Sequence, residues 1–358
     1  MTVYFLMYAL ILCTTGLVSR TGKTPEQRKK RAAFYVTALV VLVVALRHPS
    51  MGIDLGYGSS IGYLTSFQSI SEYSWEELFA LGEWQNYEWG YIVFNKLLGY
   101  ISTNYQCLLI ACAIASIVPI GIMIGKCSRD PVLAILVFLG LPCITVPFSA
   151  LRQGIAVGLC CLSFPLIREK KPVKFILLIV FATLFHYSAF IFLVAYPLYH
   201  LKLSRSARLL SIPVLPVIYL ARYPLFAVGS KLFKHNAVAA QGSAVTLLLV
   251  FALVYAFCAV FLHDDEDGGF LNLFYVACVI QCFAGVYSLA MRVGFYFMPA
   301  LVIALPNIIA NMKRPENRKI SRLCVMAAFV AYGLYALYTY GSDWPMTYPY
   351  HFFWNKIV

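Results

Sequence analysis

Charged residues are scarce in this chain: Asp, Glu, Lys and Arg make up 12% of its 358 residues. A soluble domain carries roughly a quarter, so there is too little polar surface here to face water on every side. Zinc-type Cys/His spacings are missing as well. The eleven Cys fall mostly inside apolar runs (Cys112, Cys160, Cys161, Cys278, Cys282), where a thiol behaves as a small hydrophobe. The segments assigned below to the external face hold no Asp-x-Asp pair and no His/Asp cluster at ligand spacing, which disfavours a metal-dependent mechanism, and no residue pattern asks for a cofactor. No short-period repeat, low-complexity stretch or soluble domain interrupts the chain. The first apolar run, Val3 to Val18, has neither a basic leader nor a small-residue cleavage site before Arg20, and reads as a retained span rather than a signal peptide.

Apolar residues are abundant: 61% of the chain is hydrophobic and 16% aromatic, with mean hydropathy +0.78. Runs of about 16 to 22 apolar residues recur from end to end, each long enough to cross a hydrocarbon core about 30 Å thick. Backbone groups find no water in lipid, which excludes open sheets and leaves an all-α polytopic fold. The net charge of +13 would raise nucleic acid as a partner for a soluble protein. Here the Lys and Arg gather in short segments between spans, so orientation and the lipid bilayer account for them and nucleic acid is excluded.

The basic stretch Arg20–Arg31 places that end of the first two runs in the cytoplasm. The second run, about Ala32 to Leu46, leads out to an external region, about 47–104, rich in Gly, Ser, Tyr and acids. Glu88–Ile101, short and interrupted by Lys96, reads as an interfacial or re-entrant helix. Tyr105–Gly125 then enters, Pro131–Pro147 exits and Leu151–Ile167 returns to the basic Arg168–Lys174 loop. Lys174–His200 is basic at both ends, which predicts a hairpin of two half-length helices with His186 near its tip. Runs at about Arg208–Ala221, Ala244–Leu262, Phe270–Leu289, Gly294–Asn311 and Ile320–Tyr340 continue the alternation. The expectation is about ten crossings in a single transmembrane domain, 1–358, with both termini external and an external tail over about 341–358. The acidic run His263–Asp267 reads as a solvated cytoplasmic loop.

On this map Arg47, Asp54, Arg152, His186 and Arg292 share the external face. Charge at membrane depth costs about 2.5–3.5 kcal/mol at mid-span, so such residues are candidates for function, although a long Arg near a helix end can also snorkel to the headgroups. Arg152 and Arg292 each open an apolar run with no compensating acid nearby in sequence. A guanidinium fork grips phosphate bidentately and keeps its charge in a site of low dielectric. His186, flanked by apolar residues, suits a proton acceptor or phosphate donor at neutral pH; a structural donor is the plainer reading. Asp54 caps a turn or serves as a base. Glu88 caps the short interfacial segment or meets substrate.

These residues resemble a family. Arg47…Gly52-Ile53-Asp54…Tyr57, then Glu88-Trp89-Gly90-Tyr91, then Ala150-Leu151-Arg152-Gln153-Gly154-Ile155-Ala156, then Phe185-His186-Tyr187-Ser188-Ala189, followed by Arg292…Tyr296-Phe297…Leu305-Pro306 and Tyr348-Pro349-Tyr350, are similar to the EpsG-like branch of Wzy-type polysaccharide polymerases, which make exopolysaccharide, capsule and O-antigen. Leu55 departs from the Thr or Tyr often found after the Asp, and nothing between Leu201 and Gln241 matches. The resemblance implies a GT-C-like, metal-independent glycosyltransferase of the bacterial plasma membrane, multi-pass, with its active site on the external (periplasmic) side. It would transfer a glycan from undecaprenyl pyrophosphate onto a sugar hydroxyl of a second lipid-linked repeat unit. Its partners would be the undecaprenyl-pyrophosphate-linked oligosaccharide and a chain-length regulator or flippase. By the same resemblance Arg152 and Arg292, with Arg47 assisting, would bind pyrophosphate, and His186 or Asp54 would take the proton. Tyr57, Glu88, Gln153, Tyr187 and Tyr296 would contact substrate. A lipid-linked oligosaccharide flippase, a membrane O-acyltransferase acting on a polysaccharide, and a glycan ligase are the rival readings.

Overall fold

The computed structural model describes residues 1–80, 87–233, 244–262, 265–287, 289–343 and 345–356. Gln241 and His263, which figure in the sequence map, lie outside them. Among the described residues the fold is helical, with one isolated antiparallel bridge between Arg47 and Phe352. The chain divides into two compact units, Met1–Phe190 with Leu323–Val358, and Ile191–Arg322.

In the first unit α1 (Thr2–Arg20) joins α2 (Pro25–Ala45) through a tight link. Thr24 and Gln27 form a capping box and Pro25 occupies the first helical position, so the basic residues Arg28 to Arg31 begin the helix rather than lie in a loop. The stretch 47–104 supplies three short helices, α3 (Tyr63–Glu72), α4 (Trp75–Ala80) and α5 (Trp89–Gly99). Lys96, within α5, donates from Nζ to the carbonyls of Ser71 (2.9 Å) and Tyr73, anchoring α5 to the end of α3. Then come α6 (Tyr105–Cys127), α7 (Pro131–Gly140), α8 (Val146–Ser149), α9 (Leu151–Leu162), α10 (Phe164–Arg168) and α11 (Pro172–Thr183).

The apolar faces of α2, α6 and α9 meet along their lengths, burying Val36, Val40, Ile117, Ile120, Ile124 and Leu151. α7 is buried all round: Leu133 to Phe138 are each 0% exposed. After Gly140 the chain turns by 76° into Pro142–Ser149, so the expected straight exit Pro131–Pro147 is a broken span. Pro142 and Pro147 lack the amide hydrogen that a continuous helix would need. The C-terminal tail returns to this unit: Tyr4 Oη donates to the Thr347 carbonyl (2.5 Å) and Tyr350 Oη to that of Val43 (2.8 Å). The backbone N–H groups of His48 and Phe353 donate to the His351 and Leu46 carbonyls.

The second unit comprises α12 (Ala195–His200), α13 (Arg205–Ser211), α14 (Val214–Leu220), α15 (Arg222–Phe233), α16 (Val245–Phe261), α17 (Asp265–Gln281), α18 (Ala290–Phe297) and α19 (Ala300–Ala310). α17 and α19 form its centre, with Leu271, Phe274, Leu301, Val302 and Leu305 at 0% exposure. Asp267 overturns the expectation of a solvated acidic run at its own position. It is 2% exposed and accepts from Asn307 Nδ2 (2.8 Å) and Asn311 Nδ2 (3.3 Å), tying α17 to α19. A buried carboxylate is tolerated where donors satisfy its oxygens. Finally α20 (Pro315–Tyr340) runs from this unit into the first, where Phe329 and Gly333 are buried.

Four helices are long and apolar enough to cross a membrane: α1, α6, the continuous Leu151–Arg168 stretch and α20. Three bent pairs bring the number to seven if each is one span: α7 with Pro142–Ser149, Arg205–Leu220 with Arg222–Gly229 (74°), and α18 with α19 (42°). The chain is thus an all-helical polytopic membrane protein with four to seven candidate spans among the described residues, beside the shorter apolar helices Pro172–Thr183 and Val245–Phe261. Proline and short breaks divide runs that hydropathy alone reads as continuous. The expected break within Lys174–His200 is present: α11 stops at Thr183, His186 sits in the turn, and a 3₁₀ segment, Tyr187–Val194, follows.

Candidate functional site

Arg152 opens α9, directly after the break that ends α8. Its compensating acid lies 64 positions earlier in sequence: Nη1 pairs with Oε2 of Glu88, the residue preceding α5. Glu88 is 7% exposed, while the Arg152 side chain keeps 19% of its surface. Two tyrosines frame the guanidinium. Tyr63 Oη accepts from Nε (3.4 Å), and the Tyr87 ring lies under Cζ at 4.4 Å. Neither tyrosine stood out in the sequence; the Tyr-rich composition of the stretch 47–104 was their only signal.

The second Glu88 oxygen serves the turn after α11. Oε1 accepts from the backbone N–H of Tyr187 (3.0 Å) and lies 3.3 Å from His186 Nδ1. Gly90 makes this approach possible: a Cβ there would lie 2.6 Å from the Leu184 carbonyl oxygen, against which the Tyr91 N–H also packs (3.3 Å). A side chain at position 90 would push the start of α5, and Glu88 with it, away from His186. Burial opposes ionisation of Glu88. His186, Arg152 and the Tyr187 amide outweigh it and hold the carboxyl below the usual carboxylate range. Burial pushes the Tyr63 phenol up to about 12, so it stays a neutral hydroxyl beside Arg152.

Asp54 sits in the short 3₁₀ turn Ile53–Leu55, half-buried, and its negative charge reaches the Tyr63 and Tyr87 phenols. Gly52, at φ 119°, has no room for a Cβ against the Phe148 carbonyl, which holds the Asp54 turn on α8. Arg47 closes this end of the unit from within. It is 0% exposed and donates to the carbonyls of Met51 (3.3 Å), Val44, Pro147 (2.9 Å) and Phe148 (3.3 Å). These four bonds fasten the Asp54 loop to the break before Arg152.

Among the proposed contact residues, Tyr57 and Tyr187 are exposed (51% and 72%), whereas Gln153 and Tyr296 are packed inside (1% and 0%). Arg292 lies half-buried on α18 of the second unit. One end of the first unit therefore gathers Arg152, Glu88, His186 and Asp54 from four separate segments. This offers a cation, a carboxylate beside an imidazole, and exposed aromatic rings. No group of three or more His, Cys, Asp or Glu at metal-binding distance occurs among the described residues.

A sequence model described as the EpsG family matches residues 30–352. No curated protein and no solved structure matches the chain.

Proposed function

Since the chain belongs to the EpsG family, we propose that it is a polysaccharide polymerase, a glycosyltransferase that extends a lipid-linked glycan at the external face of the plasma membrane. The donor is a glycan on undecaprenyl pyrophosphate and the acceptor is a sugar hydroxyl of a second lipid-linked repeat unit. The observation that carries this reading is the Glu88 carboxylate, shared between the Arg152 guanidinium and the His186 turn. In the reaction the acceptor O–H loses its proton to His186, its oxygen bonds to the anomeric carbon, and the carbon–phosphate oxygen bond breaks with its electron pair leaving on the pyrophosphate. Glu88 beside Nδ1 favours the tautomer with the proton on that nitrogen and leaves Nε2 to accept, as carboxylates do for catalytic imidazoles. Arg152 takes up the charge that grows on the diphosphate, a task cationic side chains perform well in a water-poor site. Arg47 supports Arg152 through the backbone it holds. Asp54 is the alternative base, and Tyr57 and Tyr187 offer ring faces to sugars.

The orientation follows from charge. Lys and Arg outnumber Asp and Glu in the segments 20–31, 126–130 and 168–174, whereas acids prevail over 47–104, which carries Asp54 and Glu88. By the positive-inside rule the acidic end is external. The test supplies the purified chain with a lipid-linked repeat unit, with and without a chelator. A ladder of lengthened products in both arms supports the proposal. Movement of intact substrate between leaflets with no ladder means a flippase and overturns it.

A further inference from the structure

The opposite end of the first unit carries a feature that glycan transfer does not use. Between α2 and α6 runs a groove of about 540 Å³, lined along α2 by Ala33, Phe34, Thr37, Ala38, Val41 and Leu42 and along α6 by Val118, Gly121, Ile122 and Gly125. Its walls are apolar, with Phe34 (77%), Leu42 (52%) and Ile122 (38%) exposed on its rim. From position 30 to position 42 it extends about 18 Å at 1.5 Å per residue, a length suited to an extended hydrocarbon chain. Small side chains form its floor. Gly121 and Gly125 stand at the spacing that often joins membrane helices, but Gly121 is already used within the chain, where Thr37 occupies the space a Cβ would take.

One end of the groove is apolar and the other is cationic. Lys30 and Lys126, both exposed, line its mouth. Behind them Arg168 donates to the Lys126 carbonyl (3.0 Å), and its charge repels that of Lys29. Lys30 pairs with Glu26 at 2.8 Å, but both side chains are mostly in solvent (65% and 71% exposed) and such a pair yields readily to a stronger anion. Four cations held together at the end of an apolar channel match a ligand with one anionic head and a long apolar tail.

We propose that this groove is a seat for an anionic phospholipid of the leaflet at the basic end, its phosphate held by Lys30 and Lys126 and one acyl chain lying between α2 and α6. Interfacial Lys and Arg attract such headgroups.

The full-length protein in detergent is titrated with phosphatidylglycerol and separately with phosphatidylcholine, and bound lipid is counted by native mass spectrometry. Phosphatidylglycerol is expected to be retained at least about tenfold better. Each lysine removed should weaken retention by about fivefold, so Lys30→Gln with Lys126→Gln abolishes most of the preference. Lys356→Gln, an equal loss of charge on an exposed residue of the C-terminal tail, leaves it intact. Ala38→Phe, which narrows the groove and keeps the charges, should reduce retention of both lipids. Equal retention of the two lipids, no effect of the double substitution, or a lipid-free dimer that Ala38→Phe dissociates would overturn the proposal. The outcome is independent of whether the chain polymerises glycans.

Discussion

Replacing Glu88 by Gln tests the centre of the candidate site. The carboxylate is 7% exposed and meets Arg152, the Tyr187 amide and His186. Breaking a fully buried ion pair by removing one partner costs about 3–5 kcal/mol. Arg152 keeps 19% of its side-chain surface and the amide retains one acceptor oxygen, so about 1–2 kcal/mol is expected, a fall of a few degrees in the melting temperature. Chain extension should drop further, by roughly a hundredfold or more, because the imidazole loses the group that sets its tautomer. The pH dependence separates charge from shape. The Glu88 carboxyl is held below its usual range when folded, so its stabilisation is fully present above the unfolded value of about 4.3 and is lost as pH falls through the lower, folded value. Wild-type melting temperature should decline on acidification below about pH 4, and Glu88→Gln should lack that component. Thermal melts in detergent across pH, together with product ladders from a lipid-linked repeat unit, read both effects. Wild-type polymer yield with an unchanged acid limb would refute the reasoning.

Arg152→Ala should abolish chain extension while the protein still inserts, and Arg152→Lys should recover little, since an ammonium cannot reproduce the fork; normal polymer length in either variant removes the proposed role. Because Arg152→Ala strands the Glu88 charge, adding Glu88→Gln should restore part of its lost melting temperature, and strictly additive effects in that cycle would mean the two are not coupled. Gly90→Ala should destabilise the chain by about 1–3 kcal/mol through its clash with the Leu184 carbonyl and slow polymerisation together with it, measurable as a lower melting temperature and shorter ladders. Arg47→Ala leaves four buried carbonyls without their donor and should reduce the yield of folded protein itself. Normal yield with a specific loss of substrate binding would instead give Arg47 a direct part in the site.

Composition determined that this chain lives in a membrane, because 12% charge cannot solvate a folded surface of this size, and the length of its apolar runs made the spans helical, since each is long enough to cross as a helix. Runs such as Thr2–Arg20, Tyr105–Cys127 and Pro315–Tyr340 were legible for that reason, as was the break at His186, where basic residues flank both ends of an over-long apolar stretch. The ordered motifs around Asp54, Glu88, Arg152 and His186 pointed to the family that the comparison then supplied. Hydropathy could not distinguish a straight span from a broken one, because a proline-induced bend changes direction without changing the apolar character of α7 and Pro142–Ser149. Nor could it pair Arg152 with Glu88. The charges are 64 positions apart, and only the close approach at Gly90, which brings α5 against the Leu184 carbonyl, sets one carboxylate between the guanidinium and the imidazole. Arg47 makes the same point in reverse. As a letter in the chain it was one more membrane arginine, and only the fold surrounds it with the carbonyls of Val44, Met51, Pro147 and Phe148.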